Sequence, residues 1–400
     1  MNDFLRLWFR LVPAYAVGYF LSYALRSVNA VIAPELMQEL GITAAGLGLL
    51  TSAYFLAFGL FQLPLGMLLD RFGPRRVEVG LLMIAAAGCA LFAAGQSLPV
   101  LALARALIGL GVSACLMASF KAFSQWFPAE RMPSLTATIM VAGGLGALTA
   151  SVPVESALPL LGWRGIFWVV AALLVLTAAF LWTVPDQTAA DKPESFGQQL
   201  RTLRNIYSSR VFWRFAPQST AIAGGFMAVQ GLWAVPWLIE VNGLSRADAA
   251  GVLFLLSVAM LAGFLFIATS SLWLASRGVS PMALLTVGMG LALVAELTII
   301  LGLAPPAWLW PCLGVSFSLG NIAYSQLARA FPVAHSGRVN TALNLMSFLG
   351  AFALQWGIGT AVDALVGGGV GRPEAFKLTF GILLGVQLVC FGWFLVPVRR

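Results

Sequence analysis

Two arginines inside long apolar stretches are the side chains of this sequence with the most evident chemistry. Arg26 lies in YALRSVNAVIAP, about 20 Å along a helix from Pro13. Arg105 lies in LALARALIGLG. A guanidinium cannot lose its proton, so it needs a negative or strongly polar partner where water is scarce. Arg26 therefore either pairs with a structural acid or holds the carboxylate or phosphate of a bound anion.

Two carboxyl groups in apolar surroundings are candidates for carrying a proton. Glu155 follows Pro153 near one end of its stretch, and Glu296 lies within another. An apolar environment raises a carboxyl's affinity for protons. We expect Glu155 and Arg105, on neighbouring helices, to act together as coupling residues. The alternatives are a purely structural or binding role for Arg105 and a water-exposed, interfacial position for Glu155.

Uncharged polar and aromatic side chains in the same stretches form the predicted lining of a binding cavity. Polar groups on membrane spans must face protein or water. Helix packing remains the alternative for each of them taken singly. The residues predicted to bind substrate together with Arg26 are Tyr23, Asn29, Gln230, Trp233, Tyr324 and Gln355.

Composition places these residues in a membrane protein. The 400 residues are 60% hydrophobic and only 10% charged, whereas about a quarter of a soluble protein is charged. Lipid must therefore surround most of the chain. The net charge of +8 resides in short loops between apolar runs, which indicates topology and excludes nucleic-acid binding. The four cysteines lie in apolar runs without metal-ligand spacing.

The apolar runs predict twelve transmembrane helices, six on each side of a polar break. Their predicted ranges are 11–34, 46–69, 77–96, 98–120, 134–158, 163–184, 214–239, 247–274, 280–302, 306–328, 338–362 and 376–397. The fold class is therefore all-α and polytopic, with two six-helix bundles. The predicted domains are 1–185 and 213–400, joined by a linker, 186–212, with a short amphipathic helix around Phe196–Tyr207.

Loop charges predict the orientation. With the N-terminus inside, seventeen of the 23 Lys and Arg residues fall on the cytoplasmic side and four on the outer side. The positive-inside rule then places both termini in the cytoplasm, for a protein of the cell inner membrane.

The two halves also echo each other. GGLGALTASVP begins at Gly143 and SFLGAFALQWG at Ser347, at corresponding positions of the two halves. Six-helix repeats with a binding site at their interface are a transporter architecture.

One loop carries an ordered motif. GMLLDRFGPRR, from Gly66 to Arg76, places glycines at a helix crossing and a turn, an acid at a helix end, and arginines on the inner surface. It resembles the loop 2–3 signature of the major facilitator superfamily. Arg105, Gly109 and Gly111 are similar to that family's helix-4 pattern.

The resemblance implies further roles. In the family this loop latches the cytoplasmic side, which assigns gating to Gly66, Asp70, Arg71, Gly73 and Arg75. The corresponding second-half segment has Ala275 in place of the acid, so the latch is one-sided. Helix 9 is peripheral in the family, which disfavours Glu296.

The stretch around Arg26 is similar to helix 1 of the sugar-phosphate antiporters and the anion–cation symporters. In both branches this arginine contacts the substrate anion. The second arginine of the sugar-phosphate carriers is missing from helix 7 here. A single clamp favours a monoanion or carboxylate over a phosphate dianion.

No Walker A motif and no catalytic or zinc-binding motif is present. We therefore expect a monomeric secondary transporter, not an enzyme, that needs no cofactor. It would move a small organic anion by alternating access, with proton-coupled uptake. The alternatives are an efflux pump for a drug or metabolite and a transporter-like membrane sensor. The helix-5 segment lacks the Gly-Pro of the family's antiporters, which argues against drug efflux.

Overall fold

A computed structural model describes residues 2–128, 131–185, 196–332 and 335–396. All regular structure in these residues is helical, so the predicted all-α class is confirmed. The helices of the first half are α1 (Asn2–Ser27), α2 (Asn29–Leu40), α3 (Ala44–Phe72), α4 (Pro74–Ala94), α5 (Leu98–Val112), α6 (Cys115–Trp126), α7 (Met132–Thr149) and α8 (Val152–Trp182).

The second half begins with the predicted linker helix, α9. Its helices are α9 (Phe196–Tyr207), α10 (Arg210–Gln218), α11 (Gly224–Ala228), α12 (Ala234–Glu240), α13 (Arg246–Ser276), α14 (Pro281–Leu301), α15 (Pro306–Gly320), α16 (Ile322–Ala328), α17 (Ser336–Gly367) and α18 (Arg372–Leu395). Two π-helical stretches, Ser219–Ala223 and Val229–Trp233, join α10, α11 and α12 into one long helix.

Within the described residues, nine helices are long and apolar enough to cross a membrane, or ten if one bent pair counts as a span. The other two predicted spans are helical but interrupted. Span 134–158 breaks between α7 and α8, and span 306–328 breaks at Asn321. At Gly162, inside α8, φ is 62°. The chain turns there between predicted spans five and six, since glycine adopts this conformation without strain.

The first span is the bent pair. α1 ends at Ser27 and α2 begins at Asn29, and the two axes differ by 46°. Arg26 lies in the last turn before this break. A discontinuous membrane helix leaves backbone groups that side chains or ligands must satisfy.

The chain forms two compact units. Unit 1 comprises residues 1–35 and 53–193, and unit 2 comprises 36–52 and 194–400. Of the predicted linker, residues 186–195 lie outside the described part of the chain. The segment 36–52 belongs to unit 2 although it precedes most of unit 1 in sequence.

Glycines at matching positions of the two predicted repeats make matching helix contacts. A Cβ on Gly146 of α7 would meet the carbonyl of Phe20 in α1. A Cβ on Gly350 of α17 would meet the carbonyl of Thr220 in the first π stretch. Both glycines occupy the fourth position of the repeated segments. Small residues at such crossings let membrane helices approach closely.

Two further glycines repeat this relationship between other helices. Gly109 of α5 lies against the backbone of Tyr54, and Gly314 of α15 lies against the backbone of Leu256. The glycine of the helix-4 pattern thus has a packing function. The two units share these close helix crossings, which explains why the glycines recur at matching positions of the two sequence repeats.

Segment 36–52 is held on α17 within unit 2. Gly48 lies against the backbone of Gln355, and Gly359 lies against the carbonyl of Ala44. Asp363 accepts hydrogen bonds from the backbone amides of Ala44, at 3.2 Å, and Ala45, at 2.6 Å. It therefore caps the N-terminus of α3, where unpaired amides and the helix dipole favour a negative charge.

Candidate functional site

Arg26 lies among aromatic side chains of unit 1. Its guanidinium carbon is 4.5 Å from the ring centre of Tyr23 and 5.4 Å from that of Phe58. Tyr54 interacts with the same guanidinium. Arg26 and Tyr23 both keep partial exposure in the middle of an apolar helix pair. The aromatic faces stabilise the cation.

Arg105 has a different environment. Its side chain is fully buried, and both terminal nitrogens donate to the carbonyl of Leu25, at 3.3 and 3.2 Å. With its amide oriented to satisfy both groups, Asn29 accepts from Nε and Nη2 of Arg105 at 3.2 and 3.0 Å. Leu25 and Asn29 flank the break between α1 and α2. Arg105 therefore satisfies backbone and side-chain groups at the break beside Arg26.

Glu155 lies in the first turn of α8 and is partly exposed. The contacts of Arg105 described above go to neutral groups of α1 and α2. The coupling role of Glu155 and Arg105 stays a prediction.

Of the predicted binding residues of unit 2, three are buried and Tyr324 is partly exposed. Trp233, in the second π stretch, is buried and donates from Nε1 to the carbonyl of Gln355 at 2.9 Å. Gln230, in the same stretch, is buried with its Nε2 3.9 Å from the sulfur of Met260. Tyr324 is partly exposed and donates to Oδ1 of Asn344 at 3.0 Å.

The loop motif is helical up to the glycine that turns the chain. Gly73 has φ 81° and precedes Pro74, the first residue of α4, a position at which proline is preorganised for a helix. Nη1 of Arg75 donates to the carbonyls of Trp182, at 3.3 Å, and Val184, at 2.8 Å. Cations are favoured at such a helix C-terminus.

The other predicted gating residues are Gly66, Asp70 and Arg71. Arg71 is exposed, with its guanidinium 5.2 Å from the ring of Phe72, and Gly66 is exposed as well. The side chain of Asp70 lies outside the described residues. The gating role stays a prediction for all five positions of the motif.

Sequence reasoning did not single out two acidic groups, Glu78 and Asp363, and its placement of a third, Glu296, stays a prediction. Glu78 was overlooked at the start of a predicted span, yet it is completely buried. Asp363 carried no signal for its capping role. Glu296, disfavoured as peripheral, is 7% exposed. It lines a cavity of about 20 Å³ with Gln387, Phe226 and Trp310, which is room for about one water molecule.

Gln387 connects this cavity to the irregular helix. Its Nε2 donates to the carbonyl of Ala221, in the first π stretch, at 3.3 Å. A π stretch leaves carbonyls without regular helical partners, and such stretches are frequent at functional sites. Among the described residues, no group of three or more His, Cys, Asp or Glu side chains could hold a metal ion.

Comparison with known proteins identifies the family. The family model described as Major Facilitator Superfamily matches residues 15–355. The chain belongs to this superfamily. It is thus a multi-pass membrane protein of a transporter family, and the predicted family is confirmed.

Curated relatives match part of the chain. A probable sulfoacetate transporter of Cupriavidus necator is 29% identical over 49% of this chain and 47% of its own length. The hexuronate transporter of Escherichia coli is 30% identical over 44% and 40%. A probable nitrate/nitrite antiporter of Thermus thermophilus is 28% identical over 63% and 59%. The chain thus spans about half the length of the first two superfamily relatives.

A solved structure supports the superfamily fold over nearly the whole chain. The D-xylose–proton symporter has a TM-score of 0.77 and 16% identity, and the match covers 98% of each chain. At this identity the likeness establishes the fold alone.

Proposed function

We propose that this protein is a secondary transporter of a small organic anion, most suitably a carboxylate, and that it works by alternating access with proton-coupled uptake. The observation that carries the proposal is Arg26, a partly exposed residue whose guanidinium lies among aromatic rings next to a broken membrane helix. Charged groups at membrane depth are costly and generally serve function. Named relatives that carry hexuronate, galacturonate and sulfoacetate support an anionic substrate.

Arg26 would be the anion clamp. A guanidinium forms two parallel hydrogen bonds with a carboxylate, which gives both affinity and orientation. Tyr23 holds the cation from one face and offers a phenol beside it. Arg105 and Asn29 would fix the helix break, and therefore the position of Arg26, without touching the substrate themselves.

The predicted binding residues of unit 2 differ in their exposure. Tyr324 is partly exposed with its hydroxyl bonded to Asn344, a pair suited to substrate hydroxyl groups. Gln230, Trp233 and Gln355 are buried, and their part in substrate binding stays a prediction.

We also propose a membrane location and a gating segment. The protein would function as a monomer in the inner membrane with both termini in the cytoplasm. The motif from Gly66 to Arg76 would latch the cytoplasmic side, and Arg75 supports this by fastening the start of α4 to the carbonyl end of α8.

The test is uptake by proteoliposomes that are acid outside, using labelled galacturonate, sulfoacetate, tartrate and nitrate, with D-xylose as the neutral probe. We expect accumulation of at least one organic anion, and none of D-xylose. Accumulation of nitrate alone would show that the substrate is an inorganic anion and not an organic one. Uptake that does not depend on the pH gradient would refute proton coupling.

Variants of Arg26 make the test specific to the site. Arg26→Ala should lower transport efficiency on the order of 100-fold, because a charged partner is lost in a desolvated site. Arg26→Lys should retain part of the activity as a point charge. The matched control is Arg277→Ala, which removes an exposed arginine stacked 5.1 Å from Trp273. Wild-type transport by Arg26→Ala in folded protein would refute the clamp.

A further inference from the structure

A carboxyl group of unit 1 that the proposed clamp does not use lies entirely inside the protein. Glu78 is in the second turn of α4, and its relative exposure is 0%. Neither side-chain oxygen has a well-aligned hydrogen-bond partner among the described residues. An ionised carboxylate in such a place loses its hydration without replacement, which is strongly unfavourable. The complete burial therefore favours the protonated carboxyl.

The neighbouring helices leave space for this side chain. A Cβ on Gly18 of α1 would lie 2.6 Å from Oε1 of Glu78 and 3.8 Å from the sulfur of Cys115 in α6. Any larger residue at position 18 would thus collide with the carboxyl. The thiol of Cys115 interacts with Glu78 and is its polar neighbour.

The arginines of the helices packed against α4 are engaged with other groups. Arg105 of α5 bonds to α1, and Arg164 of α8 donates to carbonyls at the opposite end of α4. Arg75, one turn before Glu78, donates to carbonyls at the end of α8. On α6, Lys121 lies six residues beyond Cys115, about 9 Å along the helix. On α1, Arg10 donates to the carbonyl of Thr183.

A row of residues along α1 connects Glu78 with Arg26 inside unit 1. It begins at Gly18, which lies against Glu78, and continues with the next residue, Tyr19. The ring of Tyr19 is 5.3 Å from that of Tyr23, edge to face. Tyr23 in turn lies 4.5 Å from the guanidinium carbon of Arg26. Packed side chains that adjoin two sites can transmit coupling between them.

We propose that Glu78 is a proton-binding site and that its protonation is linked, through this row, to anion binding at Arg26. The inference rests on the proposed function of Arg26. The proton comes from water on one side, converts the carboxylate to a carboxylic acid, and returns to water on the other side. Arg26 with a bound monoanion and a neutral Glu78 has zero net charge. Arg26 without a bound anion and an ionised Glu78 also have a net charge of zero together. Neither the loaded nor the empty site therefore carries excess charge in the apolar environment.

The first experiment needs no substrate. Infrared spectra of the reconstituted protein across a pH titration should contain a protonated-carboxyl band that Glu78→Gln removes. Glu296→Gln, the same substitution at a buried carboxyl of unit 2, is the matched control and should keep that band. A band that survives in Glu78→Gln, or the lack of any band assignable to Glu78, would overturn the proton site.

The second experiment separates coupling from transport, with labelled galacturonate as the probe. Glu78→Gln should keep exchange of galacturonate between the two sides but lose at least tenfold of the accumulation driven by a pH gradient. Glu78→Asp, which keeps a carboxyl group, should recover part of the accumulation and covers the case in which Glu78→Gln fails to fold. Full accumulation by folded Glu78→Gln, or loss in Glu296→Gln alone, would refute the linkage. If the wild type does not transport galacturonate at all, that substrate assignment fails, and the infrared result alone decides on Glu78.

Discussion

The carboxylate of Asp363 and the backbone amide of Ala45 lie 2.6 Å apart, and the same carboxylate accepts from Ala44 at 3.2 Å. One side chain of α17 thereby satisfies two of the unpaired amides at the start of α3. Glycines on both sides of this contact bring the two backbones together, since Gly48 and Gly359 each pack against the facing chain. Segment 36–52 belongs to unit 2 through these contacts.

Replacing Asp363 should loosen the start of α3. Asp363→Asn keeps the shape but replaces one of the two acceptor oxygens by an NH₂ group, and the loss of one hydrogen bond costs about 1 kcal/mol. We expect the amides of Ala44 and Ala45 to exchange hydrogen for deuterium about fivefold faster, measured by mass spectrometry. Asp248→Asn, at the cap of α13 in the same unit, is the control. Unchanged protection at the start of α3 would contradict the capping role.

Tyr23 should support Arg26 mainly through its ring. The ring lies 4.5 Å from the guanidinium carbon, a contact that contributes about 0.5–2 kcal/mol. Tyr23→Leu should therefore raise the KM for the transported anion about three- to tenfold, while Tyr23→Phe should stay close to wild type. Initial uptake rates at varied substrate concentration provide the measurement. Equal effects of the two substitutions would assign the role to the hydroxyl instead.

Arg105 and Asn29 should act as one structural unit. Arg105→Lys removes the planar group that reaches both Leu25 and Asn29, and we expect a loss of stability of about 1–3 kcal/mol. Asn29→Ala should cost less by itself and add little to Arg105→Lys, because both break the same contact. Melting temperatures of the two single variants and the double variant test this. Fully additive shifts would show that the pair is not coupled.

The glycines of the two repeats should respond alike. Gly146→Ala and Gly350→Ala each place a methyl group against a facing carbonyl, so both should lower the melting temperature or the yield of folded protein. Gly80→Ala and Gly357→Ala are matched controls, because a Cβ at either position meets nothing within 4 Å. Equal stability of all four variants would refute the close crossings.

The fold class and the family were predictable from the apolar runs and the loop motifs, because both depend on local composition and spacing. The repeated segments that contain Gly146 and Gly350 were visible in the sequence for the same reason. The linker helix Phe196–Tyr207 was also predictable from its polar surroundings. Several spans, among them 11–34, 134–158 and 306–328, were predicted as uninterrupted because their apolar composition hides a break. The departures at Asn321 and at Ala150–Ser151 depend on local backbone geometry within apolar sequence.

The site was less predictable than the fold. Arg26 stood out because charge is rare in apolar sequence. Glu78 did not, since it follows the charged loop GPRR and resembles an acid at the membrane surface. Its burial is created by Gly18 and Cys115, which belong to other helices. Capping by Asp363 likewise depends on a partner more than 300 residues away.

The two π stretches of the seventh span affect how this protein should be aligned with its relatives. Each stretch accommodates about one residue more than a regular helix of the same rise, and one residue corresponds to roughly 100° of rotation. A relative without the stretch at Ser219–Ala223 would present a different side chain at the place of Gln230 or Trp233, although an ungapped alignment pairs them. Substrate preferences inferred position by position along this span will therefore be misassigned unless single-residue gaps are allowed inside it.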